Sequence, residues 1–182
     1  MTLSFRPATP ADATFVATVM MEAVGHPVME ENLPLQPHMT TICQRDDTLY
    51  SWRNATIATI GGKPVAALIA YEGKGYMERR RLTFSLVPPD LPFDPETMDA
   101  ETCEGEYYLD SLAVLPTFRG RGIGAALLRQ GIATARSLSL TPVLACDPDN
   151  APALALYRRL GFVTDGRLFI FGEDYLRMVI RP

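Results

Sequence analysis

Cysteine is scarce in this chain: there are three, Cys43, Cys103 and Cys146, with no Cys-x-x-Cys pair, and only two histidines, His26 and His38. That rules out a disulfide framework and argues against a zinc site, so no metal is expected. Lysine is nearly missing, since fifteen of the seventeen cations are arginine. Composition bias accounts for this, although the planar guanidinium also suits phosphate and carboxylate. A basic excess is absent too: net charge is −4 and the pI about 5.2, which argues against a general nucleic-acid binder. No run approaches the ~20 apolar residues that cross a bilayer, and Met1 to Pro10 has no signal-type apolar core, so a cytoplasmic address away from membranes is expected. What remains is 182 residues, 47% hydrophobic and 21% charged, the mix of one globular domain spanning 1–182. A chain of this length buries roughly 70% of its unfolded surface and needs no covalent staple.

Along the chain, Leu3 to Arg6 alternates like a short strand. Thr9-Pro10-Ala11-Asp12 has the hydroxyl, proline and acid of a helix start, and Phe15, Val16, Val19, Met20 and Ala23 follow at helical spacing toward a stop at Gly25 and Pro27. Ala55 to Ile60 and Lys63 to Tyr71 are β-prone on either side of Gly61-Gly62, which predicts a hairpin. Residues 72–106, with Glu78-Arg-Arg-Arg81 and several prolines, break the strand pattern and read as a partly helical insertion. Tyr107 to Val114 is a strand. A long helix follows from Ile123, with Leu127, Gly131, Ala135 and Leu138 on its buried stripe and Gly131 permitting close approach to a sheet. Val143 to Cys146 reads as a short strand and Ala151 to Leu160 as a helix. Arg167 to Phe171 and Tyr175 to Ile180 make a final hairpin.

The chemistry concentrates at Arg119-Gly-Arg-Gly-Ile-Gly124, between a strand and a helix. Glycines let backbone N–H groups turn toward an anion, and the first N–H groups of a helix lack internal partners and sit at the positive end of its dipole. This is phosphate-binding chemistry. Gly120-x-Gly122-x-x-Ala125 also satisfies the dinucleotide fingerprint, with Asp147 as the ribose acid, but too little chain follows for that fold's further βα units. A Walker loop fails because no Gly-Lys-Ser/Thr follows.

Tyr108-Leu-Asp-Ser-Leu-Ala-Val114, Arg119 to Gly124 and Asn150-Ala-Pro-Ala-Leu-Ala-Leu-Tyr157-Arg-Arg-Leu-Gly-Phe162 together resemble the GCN5-related N-acetyltransferase (GNAT) superfamily. The family's Arg/Gln-x-x-Gly-x-Gly/Ala motif falls on Arg119, Gly122 and Gly124. The resemblance implies an α/β (mixed α+β) fold: a central mixed sheet of about seven strands, flanked by helices and splayed between the fourth and fifth strands to admit acetyl-CoA. It implies that Leu112, Ala113 and Val114 lend the pantetheine arm their backbone, with the Leu112 N–H near the acetyl carbonyl. It places Arg119, Gly120, Arg121, Gly122, Ile123 and Gly124 on the pyrophosphate, and glycine at 122 and 124 is expected to be a steric requirement. Asn150 becomes a cofactor contact and Tyr157 the general acid beside the CoA sulfur.

The base is open between two acids. Period-two alternation puts Asp110 on the face of Tyr108 and Leu112, within reach of an acceptor amine, and Glu106 lies further out on the same side. An acyl-cysteine at Cys146 is disfavoured, because no histidine is positioned to activate it. The implied activity is direct acetyl transfer from acetyl-CoA, as co-substrate, to a primary amine of a small molecule or peptide; homodimerisation stays open. Two rivals stand beside it, a non-catalytic acyl-CoA sensor and a dinucleotide-dependent oxidoreductase. Between Arg81 and Arg119 there is no cation, while Asp90, Asp94, Glu96, Asp99, Glu101, Glu104, Glu106 and Asp110 are all acidic. Such a segment is either a solvated loop or a lure for a cationic acceptor.

Overall fold

Asp12 ties the first strand to the first helix. Its carboxylate accepts from the Thr9 N–H and hydroxyl, both at 2.8 Å, and from the Arg6 guanidinium fork at 2.7 and 2.8 Å. These donors hold the carboxyl far below the ordinary aspartate range. The computed structural model describes residues 2–23, 36–87 and 94–181. In chain order its elements are β1 (Leu3–Pro7), α1 (Ala13–Ala23), α2 (Gln36–Gln44), β2 (Ala55–Ile60), β3 (Lys63–Glu72), α3 (Tyr76–Ser85), β4 (Glu106–Val114), α4 (Ile123–Ser137), β5 (Thr141–Cys146), α5 (Ala151–Arg159), β6 (Val163–Ile170) and β7 (Glu173–Val179). The expected helix stop at Gly25 and Pro27, with His26 and Asp90, lies outside the described residues.

One seven-stranded sheet runs β1-β2-β3-β4-β5-β7-β6, antiparallel except where β4 meets β5. Its two faces carry separate cores. Val16, Val19 and Met20 of α1 and Ile42 and Cys43 of α2 pack on one face against Ile57, Ala67 and Ile69. On the other, Leu127, Leu128 and Ile132 of α4 pack on Leu68, Leu109 and Leu144. The expected approach at Gly131 is present: a Cβ there would lie 2.6 Å from Leu109 Cδ2 and 2.9 Å from Leu68 Cδ2. Leu138, expected on the same buried stripe, instead follows the last helical residue and is 47% exposed. The final hairpin is also longer than its alternation suggested, since β6 starts at Val163.

Two irregularities of β4 make the site. The first is a bulge. Ile69 pairs with Ser111 but Ala70 pairs with Leu109, so Asp110 is an extra residue in the strand. The bulge reverses the alternation expected for Asp110 and Leu112. Tyr108 and Asp110 face the α1 and α2 side, where Asp110 meets Tyr71, whereas Leu112 joins Leu109 and Val114 on the α4 side. Strict period-two reading fails wherever one residue is inserted. The second irregularity is a fork. β4 and β5 pair only at Glu106 with Thr141, Tyr107 with Pro142 and Tyr108 with Val143, and beyond Tyr108 the two strands share no ladder.

Residues 72–106 hold α3, a short 3₁₀ turn at Pro95–Thr97 and the return to β4. Three of their acids meet a cation, two from within the segment and one from β7. Glu104 pairs with Lys74 at 3.8 Å, Glu96 with Arg81 at 4.0 Å and Glu106 with Arg177. Asp94 and Asp99 accept backbone N–H groups from Glu96 and Phe169.

Candidate active site

The fork leaves backbone groups without partners. Leu115 N–H donates to Val65 on β3, and alternation then turns Ser111 and Ala113 toward β3 and Leu112 and Val114 toward the gap. The Val114 carbonyl is taken by Arg119 Nε at 2.9 Å. Leu112 N–H and C=O and Val114 N–H remain for an extended ligand to complete as a strand would.

At the mouth of the gap the chain turns into α4. Gly120 and Gly122 adopt φ of +74° and +76°, a left-handed geometry that costs other L-residues about 1–2 kcal/mol. Arg119 N–H donates to Pro116 and Ala126 N–H to Gly122, but no N–H between Gly120 and Ala125 has a backbone acceptor among the described residues. These donors open a fifteen-residue helix, so the positive end of its dipole adds to them. Gly124 differs from the expectation. Its φ is ordinary and a Cβ would lie 3.6 Å from Leu112 Cδ2 and Val114 Cγ2, normal contact distances, so the fold leaves room for alanine there.

The two arginines of the turn are occupied. Arg119 reaches Glu22 on α1 at 2.7 Å besides Val114, and Arg121 donates to the Thr117 carbonyl at 3.1 Å while lying over the Phe118 ring. Charge therefore surrounds the turn, but the groups that point nowhere else are the main-chain N–H donors.

Across the gap, Asn150 caps α5 by accepting from Ala153 N–H at 3.1 Å, which leaves its amide NH₂ unengaged among the described residues. One and two turns further stand Leu154, in the core, and Tyr157, whose ring meets Phe162 edge-on at 6.0 Å. The Tyr157 hydroxyl makes no hydrogen bond to a described residue. Burial, with the nearby Cys146, pushes it up to about 12, so it stays protonated at neutral pH. Burial likewise raises the Cys146 thiol to about 11, and its Sγ lies 3.4 Å from the Asp147 carbonyl, which suits a structural thiol rather than a nucleophile.

The two carboxylates expected as bases are placed differently. Glu106 sits where β4 still pairs with β5; one oxygen meets Arg177 and the other accepts from Thr102 Oγ1 and Cys103 N–H, both at 3.1 Å. Asp110 sits at the bulge, beside the start of the fork, and accepts from the Tyr71 hydroxyl and from Ser111 Oγ at 2.7 Å. Burial raises its carboxyl above the usual range, and these two donors draw it partly back. Sequence reasoning counted Glu101 only as one acid of a loop. In the fold it is 5% exposed and accepts from Tyr76 at 2.7 Å and Tyr108 at 2.5 Å. No local pattern in the sequence marks it, since Tyr108 and Tyr71 come side by side only through the pairing of β3 with β4 across residues 73–105.

The site can be set beside known proteins. A 59-residue stretch, 32% of this chain, is 48% identical to a mycothiol acetyltransferase of Pseudarthrobacter chlorophenolicus, and it spans 18% of that protein's length. An N-acetyltransferase structure from Staphylococcus aureus Mu50 superposes with a TM-score of 0.76 at 24% identity, covering 97% of this chain and 100% of that one. A NatC complex structure bound to Gag peptide and CoA gives a TM-score of 0.58 at 16% identity, covering 99% and 98%. The model of the Acetyltransferase (GNAT) family matches residues 26–162, and with the forked sheet and the glycine turn in place the chain belongs to that family.

Proposed function

We propose that the protein is an acetyl-CoA-dependent N-acetyltransferase that moves an acetyl group directly to a primary amine of a small molecule or peptide. The observation that carries this reading is the run of N–H groups from Gly120 to Ala125 without a backbone acceptor among the described residues, beside a gap bordered by the Leu112 backbone. A diphosphate suits the first and an extended amide arm suits the second, and acetyl-CoA has both, together with a thioester that supplies the acetyl group. Leu112 and Val114 hold the arm, while the Ala113 backbone, expected to share in this, is turned to β3 instead. Arg119, Gly120, Arg121, Gly122, Ile123 and Gly124 form the diphosphate turn, and the Asn150 amide closes the far side.

Transfer to an amine requires that the amine lose a proton, that the carbonyl be polarised and that the departing sulfur gain a proton. Asp110 takes the proton from the amine nitrogen as the C–N bond forms. The Leu112 N–H polarises the carbonyl oxygen. Tyr157, protonated and with a free hydroxyl, gives its proton to the sulfur as the C–S bond breaks. Glu106, ion-paired with Arg177, anchors β4 to β7 and is left out of the proton path. We read residues 72–106 as the substrate-selecting insertion, with the acidic interior at Asp110 and Glu101 favouring a cationic acceptor over an acidic one.

A panel of polyamines, lysine-type amines and acidic amino acids, screened by thiol release from acetyl-CoA, tests the reading. Release that depends on a basic amine and is lost in Asp110→Asn supports it. Acetyl-CoA binding without release for any amine would favour a binding module instead.

A further inference from the structure

Glu101 is a buried acid for which the proposed proton path has no use. Among the described residues it carries no ion pair, and the Arg80 guanidinium nearby is spent on the Met98 carbonyl at 3.1 Å and the Asp99 carbonyl at 2.8 Å. A carboxylate buried without a cation is costly, and replacing it with an apolar residue of similar size is often neutral or stabilising. Its partners explain what it does. Glu101 accepts from Tyr108, the Tyr108 ring lies 5.8 Å from the Tyr71 ring, and the Tyr71 hydroxyl donates to Asp110. The insertion is thus linked, residue by residue, to the carboxylate at the bulge.

We propose that Glu101 is a positioning residue for Asp110: it fixes the Tyr108 and Tyr71 pair that orients the Asp110 carboxylate, and it places a second negative charge beside it. This rests on Asp110 being the base. The groups around the pair are Tyr50 ahead of β2, Tyr71 on β3, Tyr76 and Arg80 on α3, and Tyr108 on β4. Arg80 is engaged with carbonyls, and Arg79, also on α3, lies over the Tyr71 ring at 5.2 Å and donates to the Glu72 and Lys74 carbonyls. Each tyrosine is held neutral by burial, so the two carboxylates feel each other across a poorly screened interior. Burial and the charge of Asp110 both raise Glu101, against the pull of its tyrosine donors. Two such acids lose their protons as a pair, in two steps. Asp110 goes first, and ionisation of Glu101 then makes Asp110 the stronger proton acceptor.

Carbon-13 NMR titration of the side-chain carboxyls in the full chain tests this without an acceptor. The wild type should show Asp110 responding in two steps. Glu101→Gln should reduce it to one step and abolish the later one. Tyr108→Phe, which keeps the ring and removes one donor to Glu101, should move the later step to higher pH, and it serves if Glu101→Gln fails to fold. With spermidine as acceptor, or the best amine of the panel above, kcat/KM should rise with pH in two steps in the wild type and keep only the lower step in Glu101→Gln, because Asp110 loses its proton while Glu101 is still neutral. A merely structural Glu101 would lower the melting temperature and leave both titrations where they are. If Asp110 titrates in one step in the wild type, or Tyr108→Phe moves nothing, the coupling is refuted while the base assignment stands. If Asp110→Asn keeps the acidic limb, the base assignment itself fails and the positioning role with it.

Discussion

Arg119 Nε donates to the Val114 carbonyl at 2.9 Å while its Nη2 grips Glu22 at 2.7 Å, so one side chain joins the open end of β4 to the last turn of α1. The arginine of the glycine motif thereby ties the 119–124 turn to the fork.

Arg119→Lys tests this tie, because lysine keeps the charge but lacks the planar fork that serves both acceptors. Arg119→Lys and Arg119→Ala should weaken acetyl-CoA binding alike, by about tenfold, corresponding to about 1.4 kcal/mol. Isothermal calorimetry measures it. Full affinity in the lysine variant would return Arg119 to a purely electrostatic role.

Three glycines should respond differently to alanine. Gly122→Ala forces a side chain into a left-handed conformation and should cost about 1–2 kcal/mol. Gly131→Ala presses a Cβ into Leu109 and Leu68 and should cost about 1–3 kcal/mol through overpacking. Gly124→Ala meets only ordinary contacts within the first turn of α4 and should be neutral or slightly stabilising. Urea denaturation of the three variants gives the order, and an unstable Gly124→Ala would contradict the contact geometry.

Tyr157→Phe preserves the edge-on contact with Phe162 and removes only the hydroxyl. Turnover should fall by about 10² or more, with the acetyl-CoA Kd nearly unchanged, as general-acid loss does. The pH dependence has a definite sign. Because the hydroxyl sits up at about 12, it remains protonated through mild alkali, and the wild-type rate should show no alkaline fall from this group below about pH 11. A fall near pH 8 that vanishes in Tyr157→Phe would show that the hydroxyl ionises far more readily.

The fold was legible in the sequence because its punctuation is local. Thr9 to Asp12, Gly61-Gly62, the 119–124 turn and Asn150 each set an element boundary through contacts within a few residues. Of the candidate site, the glycine turn could be proposed from local spacing, while Tyr157 was proposed from the resemblance of residues 150–162 to the family's motif. Asp110 could be named but not oriented, since the bulge arises from the pairing with β3, and no alternation within β4 reveals an inserted residue. Glu101 and Arg177 were out of reach for the same reason, as their partners Tyr108 and Glu106 are brought to them by the return of a long insertion and by β7.

Acid should expose the Arg6 and Asp12 pair. Asp12 is depressed in the folded state by the Arg6 fork and by Thr9, so its contribution is complete above the unfolded value near ~4 and is lost as pH falls through the folded one. Asp12→Asn should lower stability at pH 7, and its deficit against the wild type should shrink steadily toward pH 2. Urea midpoints across that range check it; a constant deficit would mean the carboxylate contributes through shape alone.

The most direct measurement is an amide proton–nitrogen NMR titration of the full chain with CoA. Main-chain recognition at the fork and turn predicts that the amides of Gly120 to Ala125, with those of Leu112 and Val114, shift together and saturate at one Kd, while Ser111 and Ala113, already bonded to β3, move little. If those amides stayed in place while shifts gathered elsewhere, for example in the groove between α4 and α5 lined by Arg129, Arg136 and Arg159, the cofactor would bind away from the fork and the proposed chemistry would lose its site.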